Sequence, residues 1–361
     1  MKLLISVTVL LVTALCVGQA AAEPPSRLPI LYSTDLFHPH EDLDDHYDLA
    51  CLFALGEFDI RGVILDLGAE QAKRTGRPAV EQMMKITGRQ VPTAWGLCRK
   101  LRDRTDKALD EPEEFQGAVR LILATLRESK EKVTIFTAGS CRDVAVAFNR
   151  EPDLMKAKVR AIYFNIGNGA VEKQDEWNVG YDPPAYLRLF ESGLPLYWCP
   201  CFGKDGYGTH YKADQASVVG ACADPVRRYF GYAISKSKDD PMAYLASGAP
   251  ADPKGLKDMW CTAPMLHAAG RKVYERGPDD FIALSPAEAD KAGLAAKEAK
   301  VFDFVPVRAA LGDFSPPAPP TLRIDLKPAE PNGQVFRITD PARYGKAMEA
   351  CLKNLLAGLG R

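Results

Sequence analysis

Between residues 35 and 48 the chain reads DLFHPHEDLDDHYD, with five Asp, one Glu and three His in fourteen positions. Carboxylates crowded this closely repel one another, and something positive has to offset them. Capping and the helix dipole account for one or two acids at a helix start, at about 0.3–1 kcal/mol each. They do not account for Asp35, Glu41, Asp42, Asp44, Asp45 and Asp48 together. Protonated imidazoles offset some of this charge, and a divalent cation offsets more. Oxygen ligands with no Cys in the cluster select Ca²⁺ or Mg²⁺, and Ca²⁺ tolerates irregular loop geometry better. His38, His40 and His46 leave a transition metal open.

These residues need a scaffold. Short apolar runs at 27–34, 60–67, 132–139, 159–167 and 194–200 read as strands, and helical periods fall between them. Helices are expected near 78–88, 115–129, from Cys141, after the Asp-Pro-Pro at 182–184, and near 214–234, 258–269 and 341–358. Such alternation predicts an α/β fold with an open, mainly parallel, mixed sheet and helices on both faces. In such sheets ligands bind beyond the carboxyl ends of the strands. Asp35, Thr137, Asn165 and Asn168 all fall there. The stretch 314–361, opened by FSPPAPP, is too small for its own core and is expected to pack on a single domain spanning 23–361.

Lys2, the apolar run Leu3–Val17 and the small residues Ala20 and Ala22 fit a signal peptide over 1–22, which predicts an exported chain. No later run is long and apolar enough to span a bilayer. Without Lys2 the chain keeps 45 basic residues against 47 acids, a balance that gives no electrostatic case for nucleic acid. Eight cysteines lie beyond the leader in no evident framework, which predicts mostly buried free thiols.

Asp35 after a strand, followed by Asp44-Asp45 opening an apolar helix, resembles the DxDxGxDD signature of the inosine-uridine nucleoside hydrolase family. RGVILDLGA, GRQVPTAWG, FTAGSCRDVAVAF and EWNVGYDPPAYLRLFESGLPL are similar to further segments of that family, in its order, and the likeness extends from Leu28 to about 270. The resemblance implies a Ca²⁺-dependent hydrolase of the N-glycosidic bond of a ribonucleoside or related riboside. It implies Asp35 as metal ligand and base, with Asp45, the Thr137 carbonyl and Asp258 as the other ligands. Asp44, Glu176 and Asn178 would hold the ribose, with Asn168 as a further contact. It also implies a small-molecule nucleoside as partner, and a homo-oligomer.

Several positions depart from the family. LFHPHEDL lengthens the loop after Asp35, Ser33 replaces the first motif Asp, and Gly68-Ala69 replaces Gly-Asn. Lys257 is read at the place of the His that protonates a departing purine, with His38, His40 and His210 as alternatives. A non-catalytic nucleoside- or sugar-binding protein, and a hydrolase of a different glycoside, are the rival readings.

Overall fold

The computed structural model describes residues 27–360; the expected leader at 1–22 lies outside them. The strands in chain order are β1 (Leu28–Thr34), β2 (Phe58–Leu65), β3 (Thr93–Trp95), β4 (Val133–Ala138), β5 (Val159–Asn165), β6 (Asn168–Gly169) and β7 (Leu196–Cys199). They continue as β8 (Phe202–Gly203), β9 (Tyr211–Asp214), β10 (Leu256–Met259), β11 (Lys272–Gly277), β12 (Asp280–Leu284), β13 (Phe302–Leu311), β14 (Leu322–Asp325) and β15 (Gly333–Ile338).

Nine of them form one sheet in the order β14-β13-β15-β7-β5-β4-β1-β2-β3. The run from β15 through β7 to β3 is parallel, and β13 pairs antiparallel with both β14 and β15. The mainly parallel, mixed α/β architecture expected from the alternation is therefore what forms. Strand β1 shows why both faces must be covered. Ile30 and Tyr32 enter one core with the helix α1 (Asp44–Ala54), while Leu31 enters the other with Val119, Ile122 and Val144. A strand buried on both sides reads as a continuous apolar run, as Leu28–Thr34 does.

The C-terminal stretch is tied into the same body. Strand β15 takes a place in the sheet beside β7, and Leu352 and Leu356 of the helix Pro341–Gly358 lie in the α1 core. Tyr344 Oη donates to the Thr209 carbonyl at 2.7 Å. Cys51, Cys98, Cys141, Cys199, Cys201, Cys261 and Cys351 are free thiols, and of the eight described cysteines only Cys98 is not buried. No helix among the described residues is long and apolar enough to cross a membrane.

One sequence expectation fails near the site. The helix placed at 258–269 begins only at Thr262, because Leu256–Met259 pair as a strand with β9, setting Asp258 opposite Lys212. The predicted helix over 214–234 is two, Gln215–Gly220 and Asp224–Ile234.

Candidate active site

A cavity of about 420 Å³ opens at the carboxyl ends of the central strands, where open α/β sheets place ligands. Asp35 follows β1, Ala138 ends β4, Asn165 ends β5, and Cys201 follows β7; all line it. Helix α1 brings Asp44, Asp45 and Asp48 to the same floor. These acids do not cap α1. Its N-cap is Leu43, which makes no side-chain cap bond, so the carboxylates of the first turns are free to face the cavity. Asp45 Oδ1 accepts from Thr34 Oγ1 at 3.1 Å, and Asp48 Oδ1 is buried without a partner.

Their electrostatics follow from enclosure. Burial first, then Asp66 and Glu176, push the Asp35 carboxyl up to about 8. Burial pushes Asp48 up to about 7. Asp44 and Asp45 are raised by burial and then by one another's neighbourhood, Asp48 and Asp35 acting on Asp44, Asp35 and Asp44 on Asp45. Asp35, Asp44 and Asp45 keep part of their surface, consistent with carboxylates that line a cavity rather than fill a core.

Behind Asp35 lies Asp66, held by Ser140 N at 2.6 Å, Ser140 Oγ at 3.1 Å and Leu67 N at 2.7 Å. Gly139 makes this approach possible. A Cβ there would sit 3.0 Å from both Asp35 N and Asp66 Oδ2, tighter than side chains ordinarily pack.

The opposite side is built on the short helix Trp177–Tyr181. Glu176 caps it, accepting from Asn178 N at 2.9 Å and Val179 N at 3.4 Å, and it also accepts from Gly167 N at 2.8 Å. Asn178 Nδ2 donates to the Asn165 carbonyl at 3.2 Å. Arg142 anchors the segment, donating to Asp182 at 2.8 Å, the Tyr181 carbonyl at 3.1 Å and the Leu97 carbonyl at 3.0 Å. Buried Arg and Asp compensate one another only with satisfied geometry of this kind. Glu176 and Asn178 therefore line the cavity from fixed positions.

Three residues named from the sequence, Asp258, Asn168 and Thr137, do not line the cavity, and neither does Lys257. Asp258 does not line the cavity; on β10 its Oδ1 meets His210 Nε2 at 2.6 Å and Lys212 at 3.8 Å. Three residues on, Cys261 takes the floor position, at the N-cap of the helix Thr262–Ala268, beside Asp48 and Asp44. Lys257 is paired with Asp42, and the residue immediately before Cys261 is Trp260, which lines the cavity. Asn168 is also outside, its amide donating to Asp175 at 2.9 Å and to the Lys173 carbonyl at 3.3 Å; Asn165 is the lining asparagine. Thr137 lies in register with Ser33 and Phe164, its hydroxyl 3.9 Å from Cys141 Sγ, and Ala138 is the lining residue of β4.

The histidines stand back from the cavity. His38 donates to the Ser237 carbonyl at 2.7 Å and stacks on Tyr232, burial with nearby cations lowers His40 to about 4, and His46 is 1% exposed. Among the described residues no three His, Cys, Asp or Glu already converge as a metal-holding group. The donor chemistry nonetheless fits a hard cation: four enclosed aspartates share one floor, one carboxylate oxygen is orphaned, and none of the four forms an ion pair among the described residues.

Comparison with known proteins places this architecture. The family profile described as inosine-uridine preferring nucleoside hydrolase matches residues 32–233, and the chain belongs to that family. Pyrimidine-specific ribonucleoside hydrolase RihA of Citrobacter koseri is 28% identical over 187 residues, 47% of this chain and 58% of the relative, so the match spans little more than half of that enzyme. The RihA of Escherichia fergusonii shows the same identity over the same shares. In fold the chain is similar to a plant nucleoside hydrolase, PpNRh1, with a TM-score of 0.55, 15% identity, and 91% and 99% of the two chains covered. An inosine-guanosine nucleoside hydrolase gives a TM-score of 0.55, 13% identity and the same coverage.

The profile ends at residue 233, short of Asp258, Trp260 and Cys261. Trp260-Cys261, directly ahead of an apolar helix, carried the usable signal; the aspartate three residues earlier obscured it.

Proposed function

We propose that the protein hydrolyses the N-glycosidic bond of a ribonucleoside or related riboside, in the compartment reached after removal of the leader at 1–22. The observation that carries this reading is the aspartate floor at the strand ends, formed by Asp35, Asp44, Asp45 and Asp48. Ca²⁺ is the proposed cation, held by Asp35 and Asp45 with Asp44 and Asp48 beside them, and when bound it supplies Lewis acidity and a grip on vicinal hydroxyls.

The protein's own groups divide the remaining tasks. Asp35, backed by Asp66, takes the proton of the attacking water. Asp44, Asn178 and Asn165 face the sugar, and Glu176 helps shape its site from a position fixed by three backbone N–H groups. Positive charge developing on the anomeric carbon is stabilised by the surrounding carboxylates, which are already oriented before the reaction. Trp177 and Tyr181 on one side, and Phe202 and Trp260 on the other, supply rings against which a leaving group can lie.

A second reading, a non-catalytic nucleoside-binding protein, is favoured by Trp260 and Cys261 lining the cavity while Lys257 and Asp258 do not. Hydrolysis of p-nitrophenyl ribofuranoside separates the two, since nitrophenolate departs with little protonation. Release that requires Ca²⁺, stops with chelator and falls in Asp45→Ala supports the hydrolase. Binding of nucleosides with no release, from folded and Ca²⁺-supplied protein, supports the binder.

A further inference from the structure

The composition of the cavity wall narrows the substrate, an inference that rests on the hydrolase reading. Of its lining residues seven are acids and five are aromatic, and none is Lys, Arg or His. At the mouth, Glu41 is paired with Arg74 and Asp42 with Lys257. Deeper in, Asp35, Asp44, Asp45, Asp48 and Glu176 form no ion pair among the described residues.

The aromatic side chains complete the pattern. Trp177 is 72% exposed and Phe202 47% exposed, unusually open for residues of this size. Trp177 is braced edge-on by Tyr181 at 6.0 Å and Phe202 by Trp260 at 5.8 Å. Ring faces held over an acidic cavity attract a flat cation through their quadrupoles as well as through the carboxylates. His210 contacts the Phe202 and Trp260 rings but directs Nε2 to Asp258.

We propose that the preferred substrate is a cationic N-riboside, a ribosylated pyridinium whose planar leaving group carries a fixed positive charge. In a neutral nucleoside, breaking the bond from C1′ to nitrogen leaves the electron pair on a base that must then be protonated. In a ribosylpyridinium the same pair neutralises the ring, which departs as a neutral pyridine. Water supplies the new C–O bond, and its proton passes to Asp35 and then to solvent. The products are ribose, the neutral base and one proton. No general acid is needed beside the leaving group, where this wall offers aromatic rings and no Lys, Arg or His.

The test uses the full mature chain with Ca²⁺ and four substrates: nicotinamide riboside, its uncharged dihydro form of nearly the same shape, uridine, and p-nitrophenyl ribofuranoside. The expected result is kcat/KM for nicotinamide riboside roughly a hundredfold or more above uridine, the scale of help a general acid would otherwise supply. Asp42→Asn, which leaves Lys257 unpaired beside the wall, should raise KM for nicotinamide riboside by about threefold or more and leave the dihydro form unaffected. Cleavage of p-nitrophenyl ribofuranoside with uridine equal to or better than nicotinamide riboside would overturn this inference and leave the hydrolase standing. If no riboside is cleaved, the hydrolase reading fails. Tryptophan fluorescence titration then decides the ligand class: tighter binding of nicotinamide riboside than of its dihydro form supports the cation, and equal or weaker binding overturns it.

Discussion

Asp44, Asp45 and Asp48 reach the cavity from the first turns of a helix packed on the central sheet, whereas Trp260 and Cys261 reach it from the end of a two-stranded ribbon separate from that sheet. The first region lies inside the family match at 32–233 and the second lies beyond it. The contrast has a chemical sense. The proposed reaction asks fixed carboxylates to handle water and a ribose, and a strand buried on both faces beside a packed helix holds them rigidly. In the same proposal the leaving-group wall has only to fit one ring, so a ribbon outside the central sheet can carry a different set of side chains.

Asp35→Asn tests the floor hardest. The expected outcome is a fall in kcat of at least about a hundredfold, because an amide cannot take the proton. Its melting temperature without metal should not fall, since the substitution removes one of several mutually repelling enclosed carboxyls. A variant that loses activity by unfolding would separate from this outcome in a thermal melt.

Trp260→Ala tests the wall and should act mainly on KM, raising it roughly tenfold for substrates with an aromatic leaving group, the scale of one lost ring stack. An equal loss in kcat with unchanged KM would place Trp260 in the chemistry instead.

The floor also predicts a pH dependence that the wall does not. Asp35 and Asp48 are raised to about 8 and about 7 in the folded chain. The native state therefore binds more protons than the unfolded chain between the ordinary carboxylate range and pH 8, and stability must fall as pH rises through that window. Urea midpoints of metal-free protein should be higher at pH 5 than at pH 8. Ca²⁺, which binds the ionised form, should stabilise most at the alkaline end. A flat profile would mean that these carboxyls are not enclosed together.

Asp258→Asn is expected to do least. The ion pair with His210 is partly exposed, and such pairs contribute about 0–1 kcal/mol. Turnover should change less than about threefold, a scale set by that modest energy.

The same contrast governs what the sequence could reveal. The strand and helix runs from Leu28 onward were legible because burial on both faces forces continuous apolar strands, and Asp35, Asp44 and Asp45 were legible because repelling charges need a reason. Glu176 and Asn178 followed from the Asp-Pro context, and both line the cavity. Asn168 lies outside the cavity wall, and Asn165, three residues earlier at the end of β5, lines it instead. Asp258 does not line the cavity, because Leu256–Met259 pair with β9, a non-local contact that residue spacing does not report. The roles of Cys201 and Cys261 were hidden for a related reason: buried thiols have the same sequence appearance in a core and on a cavity floor.

The most direct measurement is turnover of p-nitrophenyl ribofuranoside with Ca²⁺ by the wild type, Asp35→Asn and Asp258→Asn side by side. The account predicts release by the wild type, near-wild-type release by Asp258→Asn, and release by Asp35→Asn reduced at least about a hundredfold. Comparable losses in both variants, or an Asp258→Asn protein that is inactive while Asp35→Asn still turns over, would contradict it.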